Sequence, residues 1–194
     1  MSIETDFFNP EIYYSKEAAF NYEKNKRMQQ IQKEMTERAL ELIELKKGKI
    51  LDIGCGTGFS MQAIKDNGFE VQGIDISQPM INIAKKKGFK VKKADFSNIP
   101  FEDKTFDGII SISALQWITG KSYSEVIEHF NKTAREFYRV LKKKGKAVIQ
   151  FYPKTEEEFN IVIESFKKAG FSILIAEDFP NTKKRKRYLI LTKG

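Results

Sequence analysis

Leu51-Asp52-Ile53-Gly54-Cys55-Gly56-Thr57-Gly58 follows a short apolar run from Lys49 and leads into Phe59 to Asn67, a helical segment that Gly68 ends. A strand that passes through clustered glycines into a helix is the setting in which a backbone turn cradles a nucleotide. Glycine lets the chain turn tightly and approach a ligand with no Cβ in between. The helix that follows offers free N–H groups in its first turn. A tight strand–helix turn with no ligand would use the same glycines.

On the N-terminal side, Ser15 to Leu45 is predicted helical. Met28, Ile31, Met35, Ala39, Leu42 and Ile43 form an apolar stripe at helical spacing, and Gly48 stops the segment. On the C-terminal side, strand and helix keep alternating. Phe69 to Asp75 is a strand, and Ser77 caps a helix with Pro79 in its first turn that runs to Lys87. Phe89 to Ala94 is a third strand, ending at Asp95, and Phe106 to Ser113 is a fourth. A helix from Ser124 to Leu141 precedes a fifth strand, Lys146 to Tyr152, which Pro153 stops. Thr155 caps a helix to Ala169. Phe171 to Glu177 and Tyr188 to Leu191 are the last two strands, separated by a loop that carries Lys183-Lys184-Arg185-Lys186-Arg187.

This alternation predicts an α/β fold with a doubly wound, mostly parallel seven-stranded sheet. No helix separates the last two strands, so they pair as a hairpin and one strand runs antiparallel. Residues 1–194 are expected to form a single domain, with 1–47 as an N-terminal helical extension. The third strand is expected at a sheet edge, which a partner strand could extend. Lys90, Lys92 and Lys93 there could equally discourage such pairing. Lys85 to Lys87 and Lys142 to Lys144 are assigned to helix C-termini, where they complement the macrodipole.

Composition narrows the class. With 41% hydrophobic and 31% charged residues, the chain has a soluble globular balance. No apolar run approaches the roughly 18 residues of a membrane span. Met1 to Pro10 is acidic and aromatic, without the basic start of a signal peptide. Cys55 and His129 are each alone, which excludes an internal disulfide and a Cys/His zinc site. A cytoplasmic protein without bound metal is expected. The net charge of +8 attracts polyanions such as nucleic acid, although a lysine-rich surface that serves solubility gives the same balance.

Three acidic positions specify the ligand further. Dinucleotide folds use G-x-G-x-x-G, whereas this turn is G-x-G-x-G with Asp52 before it. A carboxylate there repels a pyrophosphate and suits the cationic amine of S-adenosylmethionine. Asp75 closes the second strand, roughly 20 residues beyond the glycines, where a carboxylate accepts from both ribose hydroxyls; the alternative is a helix-capping or turn aspartate. Asp95 ends the third strand at the same edge. It could read an adenine amino group with Phe96 flanking the ring, or be a surface-loop aspartate.

Together these elements resemble the class I S-adenosylmethionine-dependent methyltransferases, a Rossmann-like family. Further stretches resemble one of its branches, the guanine-N7 methyltransferases of small-subunit (18S-type) ribosomal RNA. They include Asn25-Lys26-Arg27-Met28, Ser111-Ile112-Ser113-Ala114-Leu115-Gln116-Trp117, Gln150-Phe151-Tyr152-Pro153 and Ala169-Gly170-Phe171. The similarity runs from about Tyr13 to Leu191. It departs at the C-terminus, where eukaryotic members carry a longer basic tail, and a compact chain of this kind suggests an archaeal relative. The resemblance implies a cofactor site formed by Asp52, Gly54, Cys55, Gly56, Asp75, Ile76, Asp95, Phe96 and Ser111. Arg27 would hold the methionine carboxylate bidentately, or else be an exposed helix residue. The implied partners are ribosomal RNA in the small subunit and a small zinc-binding methyltransferase activator protein in a heterodimer.

Guanine N7 has a lone pair and no proton to lose, so transfer to it needs no general base. His129 lies far along the chain from the motifs and is assigned to surface or packing. Gln116, Trp117, Tyr152 and Pro153 follow the fourth and fifth strands, so they are expected to hold the base, by stacking in the case of the aromatics. For Trp117 the alternative is core or lid packing. A tRNA methyltransferase, a small-molecule methyltransferase and a ribosome-assembly factor that acts by binding are the rival functions.

Overall fold

The computed structural model describes residues 13–182 and 184–194. The expectation for Met1 to Pro10, and Lys183 of the basic run, lie outside the described residues. Helices α1 (Lys16–Lys24) and α2 (Lys26–Ile43) lead to β1 (Lys49–Ile53), α3 (Phe59–Asp66), β2 (Glu70–Asp75), α4 (Gln78–Lys86) and β3 (Val91–Lys93). Then come β4 (Phe106–Ile112), a 3-10 turn (Leu115–Trp117), α5 (Tyr123–Val140), β5 (Leu141–Gln150), α6 (Glu156–Lys168), β6 (Phe171–Asp178) and β7 (Lys186–Lys193). The seven strands form one sheet in the order β3-β2-β1-β4-β5-β7-β6. β7 runs antiparallel to both neighbours, and the other pairings are parallel.

The inner strands are buried on both faces, which explains their nearly continuous apolar sequences. Leu51, Ile53, Ile109, Ala147 and Ile149 face the side covered by α5 and α6, where Phe130, Phe137, Phe159 and Phe166 fill the core. Ile50, Ile110, Ile112 and Val148 face the other side, against Met35, Ala39 and Ile43 of α2. Burying one such side chain is worth about 1.5–3 kcal/mol.

The structure departs from the sequence reading at three places. The N-terminal helical region is broken at Asn25 (φ −78°, ψ 94°). Its N–H donates to the Tyr22 carbonyl and ends α1, while its Oδ1 accepts from Met28 N at 3.1 Å and caps α2. β5 starts at Leu141, directly off α5, and its pairing with β4 shifts register between Phe106 and Gly108. Lys142 to Lys144 are therefore strand residues, and Lys142 pairs with Asp107 at 2.8 Å. β3 has only three residues, Val91 to Lys93, paired with Gly73 to Asp75 of β2. It is an edge of the sheet, and β6 is the other. No helix among the described residues is long and apolar enough to cross a membrane.

Candidate active site

The strand order reverses between β1 and β4, so the connections leaving these strands diverge and open a crevice at their carboxyl ends. A cavity of about 330 Å³ lies there. Its floor is the turn after β1, whose Gly54 and Cys55 N–H groups both donate to the Ile74 carbonyl, at 2.9 and 3.0 Å. Two glycines of the turn serve different ends. At Gly54 (φ +75°) a Cβ would collide with the Cβ of Ala114. At Gly56 (φ +52°) a Cβ would meet nothing within 4 Å, so the backbone stands bare to the cavity. The buried Cys55 thiol is raised well above its ordinary pKa by burial and by the nearby Asp75 and Asp52, which leaves it a poor nucleophile.

Asp75 faces the cavity with both oxygens oriented by backbone: Oδ2 accepts from Gly56 N and Oδ1 from Ser77 N, each at 2.8 Å. Burial raises its pKa, and these N–H groups oppose the rise. Asp52 lies beneath the cavity on the α3 side. One of its oxygens accepts from Ser60 Oγ, and the other is buried without a partner. Burial pushes its pKa up to about 7, against the Ser60 hydrogen bond and with the help of Asp75. One carboxylate in the cleft, and a second buried behind it with an orphaned oxygen, favour a cationic ligand that also carries hydroxyl donors. That is the chemistry of S-adenosylmethionine, so the residues fit this group.

The opposite wall comes from β4 and β5. Gln116, Trp117 and Tyr152 border the cavity, and the Oε1 of Gln116 is buried without a partner. Tyr152 is 47% exposed and directs its hydroxyl at Met35 Sδ, 3.7 Å away. Ser113, in the left-handed region at φ +54°, turns the chain out of β4; its Oγ donates to Gln150 Oε1 at 3.0 Å. Such strain gathers at functional sites.

Among the expected cofactor residues, Gly54, Cys55, Gly56, Asp75, Ile76 and Phe96 border the cavity. Asp52 is buried behind Ser60 rather than in the lining, and four further expected residues, Pro153 of the base-holding set among them, sit elsewhere. Arg27 is exposed on the first turn of α2, whose Met28, Ile31 and Gln32 face the cavity instead. Ser111 is fully buried and donates to the Ile53 carbonyl at 2.9 Å, so it ties β4 to β1. Pro153 lies past the cavity rim. Asp95 turns toward α5: its Oδ1 accepts from Ser97 N and Oγ at 2.8 and 2.6 Å and lies 3.0 Å from His129 Nε2. Burial alone would raise its pKa, but His129 and Ser97 lower it to about 2. His129 is thus close to the motifs in space, contrary to the expectation from its place in the chain.

Sequence reasoning missed the aromatic wall supplied by the N-terminal segment. Tyr14 and Tyr22 border the cavity, Tyr22 stacks on Phe59 at 5.4 Å, and Tyr14 meets Trp117 edge-on at 5.6 Å. Ser77 Oγ donates to the Tyr14 carbonyl at 3.3 Å and latches the segment beside Asp75. Burial raises both phenols, Tyr14 to about 12. Their spacing falls outside the amphipathic stripe of α2, and only contact across the fold reveals them.

Residues 51–149 match the family model described as "Methyltransferase domain". The chain is 39% identical over 193 residues to the 18S rRNA (guanine-N(7))-methyltransferase bud23 of Schizosaccharomyces pombe, covering 95% of this chain and 72% of that protein. It is 38% identical over 194 residues to the 18S rRNA (guanine-N(7))-methyltransferase of Bos taurus, covering 95% and 69%. Among solved structures, the "Complex between the Haloferax volcanii Trm112 methyltransferase activator and the putative methyltransferase" matches with a TM-score of 0.70 and 19% identity over the whole of both chains, a likeness of fold.

Proposed function

Because the chain belongs to the methyltransferase-domain family and, within it, to the 18S rRNA (guanine-N(7))-methyltransferases, we propose that it moves a methyl group from S-adenosylmethionine to N7 of a guanine in small-subunit ribosomal RNA. The observation that carries this reading is the joining of two halves at one cavity. Asp75 and Gly56 stand on one side, and Gln116, Trp117 and Tyr152 on the other.

When bound, the cofactor supplies a methyl group on a cationic sulfur. The residues of this chain bind and orient. Asp75, already fixed by two backbone N–H groups, accepts from the ribose hydroxyls. Gly56 lets the ligand approach the backbone, and Asp52 supplies a negative potential from below through its unpaired oxygen. Phe96 flanks the adenine. Trp117 and Tyr152 hold the extruded guanine by stacking, and Gln116 Oε1 accepts from an N–H of the base. No residue has to remove a proton, because N7 presents a lone pair. Alignment of nucleophile, methyl and sulfur supplies the acceleration. The aromatic wall of Tyr14, Tyr22 and Phe59 would exclude water from its side of the cavity.

The partner in this reading is a small zinc-binding activator, supported by the fold shared with a chain from the complex between the Haloferax volcanii Trm112 methyltransferase activator and "the putative methyltransferase", and by the three-residue edge strand β3. The protein would work in the cytoplasm on assembling small subunits. The test is transfer of labelled methyl groups from S-adenosylmethionine into purified small ribosomal subunits and, separately, tRNA, followed by mapping of the modified base. Label at a single guanine N7 of the subunit RNA is expected. Label in tRNA alone, or only in small molecules, would replace the reading with one of its rivals.

A further inference from the structure

The segment between β3 and β4 carries Asp95 and Phe96, and one face of α5 fastens it along its length. His129 Nε2 meets Asp95 Oδ1 at 3.0 Å. Seven residues on, Glu136 Oε2 accepts from Ile99 N at 2.7 Å. Three further, Arg139 donates to the carbonyls of Ile99 and Phe101, at 2.8 and 2.7 Å, and to Asp103. Positions 129, 136 and 139 share one helical face. The two lower anchors hold backbone groups and the side chain of Asp103, away from the cavity, and serve the fold. The upper one grasps the side chain of Asp95, the residue immediately before Phe96, which borders the cavity.

We infer that His129 is a positioning residue for the cofactor: through Asp95 it sets where Phe96 and the end of β3 stand against the adenine. This rests on the reading of the cavity as an S-adenosylmethionine site. Asp95 Oδ1 already accepts two bonds from Ser97, which form a local turn, and Ala94 N–H donates to the Asp75 carbonyl at 3.0 Å and ties the start of that turn to β2. His129 adds the helix contact nearest Phe96, made to the Asp95 side chain itself, while Glu136 and Arg139 hold the segment from Ile99 onward. The bond is 26% exposed on the histidine side chain and 35% on the aspartate, so it can be removed without opening the core. α5 keeps its own hold through Phe130, Ala134 and Phe137.

The experiment compares wild type, His129→Ala and His129→Gln in the full-length chain, with calorimetric titration of S-adenosylmethionine and of 5′-methylthioadenosine. The second probe keeps adenine and ribose but lacks the amino acid. Loss of a hydrogen bond to a charged group predicts His129→Ala binding both probes about ten-fold more weakly, with turnover at saturating cofactor within about two-fold of wild type. Glutamine has an amide donor of similar reach and should restore most of the affinity. Unchanged affinity in a folded His129→Ala overturns the inference, as does a His129→Gln variant no better than alanine. If alanine prevents folding, His129→Leu takes its place as the donor-free variant. A wild type that binds neither probe sinks the proposed function itself, whereas equal binding by wild type and alanine sinks only this inference.

Discussion

Gly56→Ala should act chiefly on the ligand site, and Gly54→Ala should cost the fold more. Both glycines have positive φ, at +52° and +75°, so alanine at either costs about 1–2 kcal/mol of backbone strain. At position 56 the new methyl meets nothing within 4 Å, so strain is the whole cost to the fold. For a domain of this size that corresponds to a melting point lowered by about 2–8 °C. The same methyl projects where the ligand must pass, beside the N–H that holds Asp75. A misfit of about 1–3 kcal/mol there weakens S-adenosylmethionine binding about 5- to 150-fold. At position 54 the methyl collides with Ala114, so overpacking adds to strain and the fold loses about 2–5 kcal/mol. Thermal melts with and without cofactor, together with calorimetry, separate the two effects. Wild-type affinity in Gly56→Ala, or equal melting points for the two variants, would refute the division of labour between these glycines.

Trp117→Ala and Tyr152→Ala should each lower methyl transfer to RNA about 5- to 150-fold, the worth of one base-stacking contact, with cofactor affinity within about three-fold of wild type; filter-bound radiolabel and calorimetry read the two, and unchanged transfer in both variants would remove these rings from the site. Asp52, with its folded pKa raised to about 7 from an ordinary value of 3.8, makes the ligand-free protein take up a proton on folding between those values. Its contribution to stability therefore falls as pH rises from about 4 to 7 and levels off above, while affinity for the cationic cofactor climbs over the same window; in Asp52→Asn both slopes should flatten. Co-expression with a small zinc-binding activator should give a 1:1 complex on gel filtration, and a chain that is monomeric and fully active alone would exclude that partner.

The elements that were legible in the sequence are those whose causes are local. Lys49 to Ile53 is a strand with the residues expected, since an apolar run ending at a glycine cluster has one way to be buried. Ser77 caps α4 as its spacing implies. The adjacency of Gly56 and Asp75 followed from parallel pairing of β1 with β2. What escaped depends on distant partners. Asp95 and His129 are 34 residues apart and meet because the segment after β3 runs along α5. Ser111 was expected at the cofactor, but as an odd-numbered residue of β4 its hydroxyl turns to the Ile53 carbonyl of the neighbouring strand. Arg27 was assigned by charge, and the rotation that Asn25 imposes on the start of α2 presents Met28 and Ile31 to the cavity instead. Tyr14 was invisible because nothing in its own neighbourhood tells where the segment lies.

The packing of Gly54 on Ala114 sets a dimension of the molecule. Methyl transfer needs donor and acceptor in line at close to van der Waals distance. One bank of the crevice grows from the first strand and the other from the fourth, and the banks touch where backbone meets a single methyl, with no rotatable side chain between them. On the proposed function, the gauge of the reaction would therefore be built into main chain. Positions 54 and 114 can change only as a pair whose summed bulk stays the same.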